Sequence, residues 1–130
     1  MLSRYIVLLV IASMSLGCGG SSSSGPGLPE GASEAIAEVR EVILEASYGG
    51  SPLRGKSDLG QFESRFPKAV AAIESGEIEV VWGGTIRDGA NPTPKVIAYE
   101  KAAATGEGWA VKDDGNISKV TSADISSMQK

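Results

Sequence analysis

Cys18 is the one thiol in this 130-residue chain, and the chain contains no histidine. A lone cysteine cannot close an intramolecular disulfide. Without imidazole, neither a serine nor a cysteine nucleophile has its usual proton acceptor near neutral pH, and zinc and iron–sulfur sites lose their common ligands. The remaining serine–lysine neighbours are Ser57 beside Lys56 and Ser118 beside Lys119, but adjacent residues on a strand project to opposite faces. Asp113, Asp114 and Asn116 suggest a calcium loop, yet the full Asp-x-Asp/Asn-x-Asp/Asn-Gly spacing and its distant Glu are missing. Turn chemistry accounts for them. Glu100 with Asp113 or Asp114 would do acid–base work only if they converged in a pocket with one pKa strongly raised. The expectation is a chain without catalytic residue, metal or cofactor, in which Cys18 carries the one chemical role.

The surroundings of Cys18 define that role. Met1 to Cys18 reads MLSRYIVLLVIASMSLGC, with one basic residue, Arg4, followed by an apolar run from Tyr5 to Leu16. A run this short does not cross a hydrocarbon core of roughly 30 Å, which takes about 20 helical residues. Small residues crowd its far end (Ala12, Ser13, Ser15, Gly17), as a signal peptidase subsite requires. Residues 1–17 are therefore predicted to be a signal peptide. Leu16-Gly17-Cys18 resembles a bacterial lipobox, in which a small residue precedes a cysteine that receives a diacylglycerol; the family's Leu and small residue, three and two positions before the cysteine, are here Ser15 and Leu16. The resemblance implies that a lipidated Cys18 becomes the mature N-terminus and that the membrane is a partner through that lipid. Localisation would then be the periplasmic face of the cell envelope.

Residues 18–28 hold the cysteine and a Gly/Ser-rich tether, Gly19 to Gly27, with a coil reach of roughly 16 Å. Residues 29–130 remain for one small domain. The net charge is −4, and −5 once Arg4 leaves with the signal, so the chain lacks the basic footprint that nucleic acid needs.

From Ala32 to Ser47 the apolar residues Ala32, Ala35, Ile36, Val39, Val42, Ile43 and Ala46 recur at steps of three and four, predicting a helix. Glu34, Glu38, Glu41 and Glu45 fall on its other side and read as a solvated face. A second helix is expected from Asp58 to about Ser75, opened by an Asp58–Gln61 capping box and kinked, or split into two short helices, near Phe66-Pro67. The period then changes to two. Strands are expected at Glu77–Trp82, Val96–Tyr99, Trp109–Val111 and Ile117–Val120, the last two joined by a hairpin through Asp113-Asp114-Gly115-Asn116 whose turn residues both take positive φ. Gly83 to Pro94 reads as a mobile loop, and Ser122 onward as one capped turn with little to pack it. The fold class is α+β: two N-terminal helices, the second kinked near Pro67, on one face of a three- or four-stranded antiparallel sheet whose other face is half polar.

EIEVVWGG, VIAYEK and GEGWAVKDDGNISKVTSADI, between Ile73 and Ile125, resemble the C-terminal part of small secreted lipoproteins of planctomycete-type bacteria, a likeness that implies no activity. The same region is distantly similar to the tail module of pseudopilin-like proteins, though no histidine lies near Ala104. The reading that follows is a cell-envelope lipoprotein with a non-catalytic binding or scaffolding domain. Alternatives are a pseudopilin-like subunit of an export or fibre system and a small carboxylate-dependent hydrolase. Trp82, Tyr99 and Trp109 form the candidate contact surface, as an aromatic patch on the sheet face away from the helices. The competing expectation places all three in the core, with Ile78, Val80 and Trp82 packed against the helices.

Overall fold

Ser33 starts the first helix. Its Oγ accepts a hydrogen bond from Ile36 N at 3.3 Å, the arrangement that satisfies an orphan donor at a helix N-terminus, and α1 then runs Glu34–Tyr48. A computed structural model describes residues 28–87 and 92–128. The expected signal, Cys18 and the tether to Gly27 lie outside those residues, as does the centre of the 83–94 loop. Ile36, Val39, Val42, Ile43 and Ala46 are all buried, as the three–four spacing requires.

The glutamate stripe is not simply solvated. Glu38 Oε2 accepts from Ala69 N at 2.9 Å, Glu45 pairs with Arg65 at 2.7 Å and Glu34 pairs with Lys68. Glu38 and Glu34 therefore meet the next helix, α2, Pro67–Ser75, and Glu45 the turn just before it. Phe66, at the N-cap of α2, supplies no side-chain acceptor, so Glu38 caps that helix from across the packing interface. Replacing Glu38 by Ala is expected to lower stability by about 1 kcal/mol, the usual cost of a lost cap, while Glu41→Ala, which breaks only a pair with its neighbour Arg40, should cost less than about 0.5 kcal/mol. Urea unfolding of the two variants checks the difference.

The second helical region is broken rather than kinked. A 3-10 helix, Lys56–Phe62, precedes a turn, and α2 starts at Pro67. Proline at the first helical position loses no needed donor, so the pattern splits there. The expected capping box is absent: Asp58 lies inside the 3-10 helix and its Oδ2 accepts from Arg54 N at 2.8 Å.

Four strands follow: β1 Ile78–Val80, β2 Val96–Glu100, β3 Glu107–Lys112 and β4 Ile117–Thr121. They form an antiparallel sheet in the order β1-β2-β3-β4. A five-residue helix α3, Lys101–Thr105, interrupts the β2–β3 connection, and α4, Ser122–Met128, follows β4. Both sheet faces are therefore covered. Ile78, Ile97, Ala98, Val111 and Ile117 join α1, α2, Leu53, Leu59 and Phe62 in one core; Val96, Tyr99, Ala110 and Val120 meet Ala103 of α3 and Ile125 of α4 in a second. The expectation of a half-polar second face fails because α3 was not foreseen and α4 is packed, not loose. A reciprocal cap starts α4: Thr121 N donates to Asp124 Oδ2 at 2.8 Å and Asp124 N to Thr121 Oγ1 at 3.5 Å. These bonds from Thr121 hold the Asp124 carboxyl below its usual pKa.

The β3–β4 hairpin also differs from expectation. Gly115 alone in that loop has positive φ, +83°; Gly115 N donates to Lys112 O at 2.9 Å and Lys112 N to Asn116 O at 2.9 Å. This is a three-residue loop, an ordinary turn closed by a glycine bulge, which asks left-handed geometry of one residue rather than two. Within the 83–94 segment, the described part is held: Ile86 is buried, Ile86 N donates to Ser47 Oγ at 3.0 Å, and Arg87 N to Asp113 O at 2.9 Å. No helix among the described residues is long and apolar enough to cross a membrane.

Candidate contact surface

The structure places Trp82, Tyr99 and Trp109 in three different settings. Tyr99 lies opposite Ala110 of β3 and belongs to the second core, 7% exposed. Trp109 precedes Ala110, so its side chain leaves the opposite face. There it is half-buried against the first core, with Lys119 Nζ 5.5 Å from the ring centroid. Trp82 lies beyond the end of β1, in a turn, 38% exposed. The aromatic patch expected on one sheet face is therefore absent, and so is the arrangement with all three in the core. Ile78 and Val80 do face the helices, but the strand ends before Trp82 can join them.

Tyr99 has a structural task. Its hydroxyl donates to Glu79 Oε2 at 2.6 Å across the β1–β2 pair. That hydrogen bond, then burial, then the carboxylate's charge push the phenol from 10.0 up to about 12. An unfolded tyrosine ionises lower, so the pair's contribution is complete below the unfolded pKa of about 10 and is lost as pH rises towards about 12. Ultraviolet tyrosinate titration should show one late-ionising tyrosine, shifted back towards the ordinary value in Glu79→Ala.

The large apolar side chains that remain exposed are Tyr48 (69%), Val81 (49%) and Trp82 (38%). Two of these three were missed from sequence. Tyr48 is the last residue of α1, and Val81-Trp82 opens the turn after β1. Two hydrogen bonds bring these segments to one end of the domain: Ile86 N to Ser47 Oγ at 3.0 Å, and Gly83 N to Leu53 O at 2.7 Å. Gly83 takes φ +86° there, which L side chains rarely adopt. Arg54 and Arg87 lie in the same segments, both exposed, and neither has an ion-pair partner among the described residues. Apolar and aromatic side chains flanked by arginine match the composition of protein contact sites. The one sequence cue was position: Tyr48 follows the last periodic residue of α1 and precedes Gly49-Gly50.

The other end of α1 carries the chain's entry. Leu28 packs against the first core, and Ala32 N donates to Pro29 O at 3.0 Å before Ser33 begins the helix. Beside it runs an open groove of about 600 Å³ between α1, α2, β1 and α3, lined by Ala35, Ala72, Ile78, Ala102, Glu77 and Glu100 among others. Ser33 Oγ donates to Glu100 Oε1 at 3.4 Å.

The carboxylates named from sequence are kept apart. Glu100 ends β2, whereas Asp113 lies beside Lys95 just before β2 begins, its Oδ1 accepting from Lys95 N at 3.0 Å. The strand between them spans about 16 Å. Asp114 is spent within its turn, accepting from Asn116 N at 3.0 Å and Asn116 Nδ2 at 2.8 Å. Ser118 and Lys119 diverge, Lys119 going to Glu107 at 3.1 Å and to the Trp109 ring, and Lys56 Nζ reaches Glu74 O at 3.5 Å. Neither lysine is hydrogen-bonded to its neighbouring serine. Searches against protein-family models, curated proteins and solved structures find no match to this chain.

Proposed function

We propose that this chain is a cell-envelope lipoprotein: Cys18 carries the lipid, Gly19 to Gly27 form the tether, and the α+β domain works by non-catalytic binding or scaffolding on the periplasmic face. One observation carries the binding half of this reading. The chain enters at Leu28, beside the start of α1, whereas Tyr48, Val81 and Trp82 are exposed at the end where α1 finishes. A 15-residue helix is about 22 Å long, so a domain held at Leu28 presents its aromatic end away from the lipid. Arg54 and Arg87 at that end favour a protein partner with an apolar pocket and an acidic rim.

The anchoring half rests on the short apolar run, the small residues before Cys18 and the likeness of Ile73 to Ile125 to secreted lipoproteins. Intact mass spectrometry of the protein purified from its own membranes tests it. A diacylglyceryl adduct on an N-terminal Cys18 is the expected result. An uncleaved or N-methylated hydrophobic N-terminus would overturn the lipoprotein reading in favour of the pseudopilin-like one.

A further inference from the structure

Met128 is the sole methionine among the described residues, and its side chain is put to an unusual use. Its Sδ accepts a hydrogen bond from Val96 N at 3.1 Å. Val96 opens β2 where the β2–β3 register shifts between Val96 and Ala98, so the ladder is irregular at the position where the thioether takes this donor. Met128 also packs, half-buried, against the second core of Val96, Tyr99, Ala103, Ala110, Val120 and Ile125. Ile125 is the one buried residue of α4. A seven-residue helix is not stable alone in water, so α4 depends on Ile125, on the Thr121–Asp124 cap and on the contacts of Met128.

We propose that Met128 is an oxidation-sensitive latch, and that its conversion to the sulfoxide by hydrogen peroxide releases α4 from the sheet. A sulfur lone pair attacks one peroxide oxygen; the S–O bond forms as the O–O bond breaks, and the departing oxygen leaves as water once the protons are redistributed. Sulfur is oxidised and peroxide reduced. Met128 is half-buried rather than enclosed, which leaves the side chain open to a small oxidant. Its product is polar and chiral, and oxygen added to the sulfur puts a strong dipole and extra volume where Met128 meets the second core and Val96 N. That polar group against apolar neighbours loosens the helix end, and α4 then keeps Ile125 and the Thr121–Asp124 cap. Methionine sulfoxide reductases return the thioether, so the change is reversible.

Hydrogen exchange with mass spectrometry on the full chain, before and after peroxide, tests the latch, with peptide mapping to confirm one added oxygen on Met128. Exchange at Ile125 to Met128 and at Val96 should accelerate about tenfold or more, as expected for a unit that opens locally, and should slow again after reductase treatment. Met128→Leu keeps the packing without the reactive sulfur; it removes the acceptor of Val96 N, so Val96 exchanges faster from the start, and exchange at Ile125 to residue 128 should be the same before and after peroxide. Unchanged exchange in protein fully oxidised at Met128 would overturn the proposal, as would a Met128→Leu variant that responds to peroxide like the parent.

Discussion

Gly108→Val should leave the domain unfolded at ordinary temperature, and Gly108→Ala should cost about 1–3 kcal/mol, the range for forcing extra carbon into a packed core. Gly108 is buried in β3 opposite Val120. A Cβ built there would lie 2.9 Å from Ala103 N and 3.0 Å from Ala103 Cβ. Those atoms belong to the backbone and shortest side chain of α3, so no flexible end can yield; the helix itself must lift. Its φ lies outside the left-handed region, and the penalty is therefore one of space, not of backbone conformation. Ala103 is fully buried on the other side of this contact, so lifting α3 also opens the second core. Gly60→Ala is the matched control, since a Cβ there meets nothing within 4 Å, and should be close to neutral. Thermal unfolding reads both, at about 4–8 °C of Tm per kcal/mol for a domain this size.

The same contact explains where sequence reading stopped. Alternation and helical spacing reported α1, α2 and all four strands because each buries one face over several residues, and burial is what the period encodes. α3 has five residues, of which one, Ala103, is buried, and a single buried position has no period. Its cue was compositional: Ala102-Ala103-Ala104 is strong helix-forming sequence, and Gly108 is the small residue that lets such a helix sit down on a strand. Without α3 the second sheet face has nothing to cover it, and the sequence leaves Tyr99 between an exposed patch and the core. The separation of Tyr99 from Trp109 follows from the pairing Tyr99↔Ala110. That register is set by the shift between Val96 and Ala98, an irregularity that puts both Ile97 and Ala98 in the first core and that strict alternation cannot represent. Glu34 and Glu45 are exposed, as a solvated face requires, and Glu38 departs from it for a related reason: a charged stripe looks the same in sequence whether it faces water or the start of another helix.

Cys18→Ser should move the protein completely from the membrane fraction to the soluble fraction. Each buried lipid CH₂ contributes about 0.8 kcal/mol, and a second chain makes marginal anchoring effectively permanent, so an intermediate distribution is not expected. Cys18 lies outside the described residues, and circular dichroism of the released protein should match the parent. If the variant stays in the membrane, its N-terminus decides: a variant cut free of Tyr5 to Leu16 yet still membrane-bound is held by a contact other than the lipid, whereas an uncut one is held by that apolar run, because the signal is cut only after the cysteine is lipidated. Orientation gives a second, independent readout on the anchored parent. Trp82 and Trp109 are the only tryptophans, so Trp109→Phe leaves Trp82 as the single reporter. With the aromatic end about 22 Å along α1 from the chain's entry, Trp82 emission in proteoliposomes should be quenched by aqueous acrylamide and left unchanged by lipids brominated in their acyl chains. Quenching by the brominated lipids would put Trp82, and with it Val81, into the bilayer, and would make the exposed end a membrane contact instead of a partner-binding one.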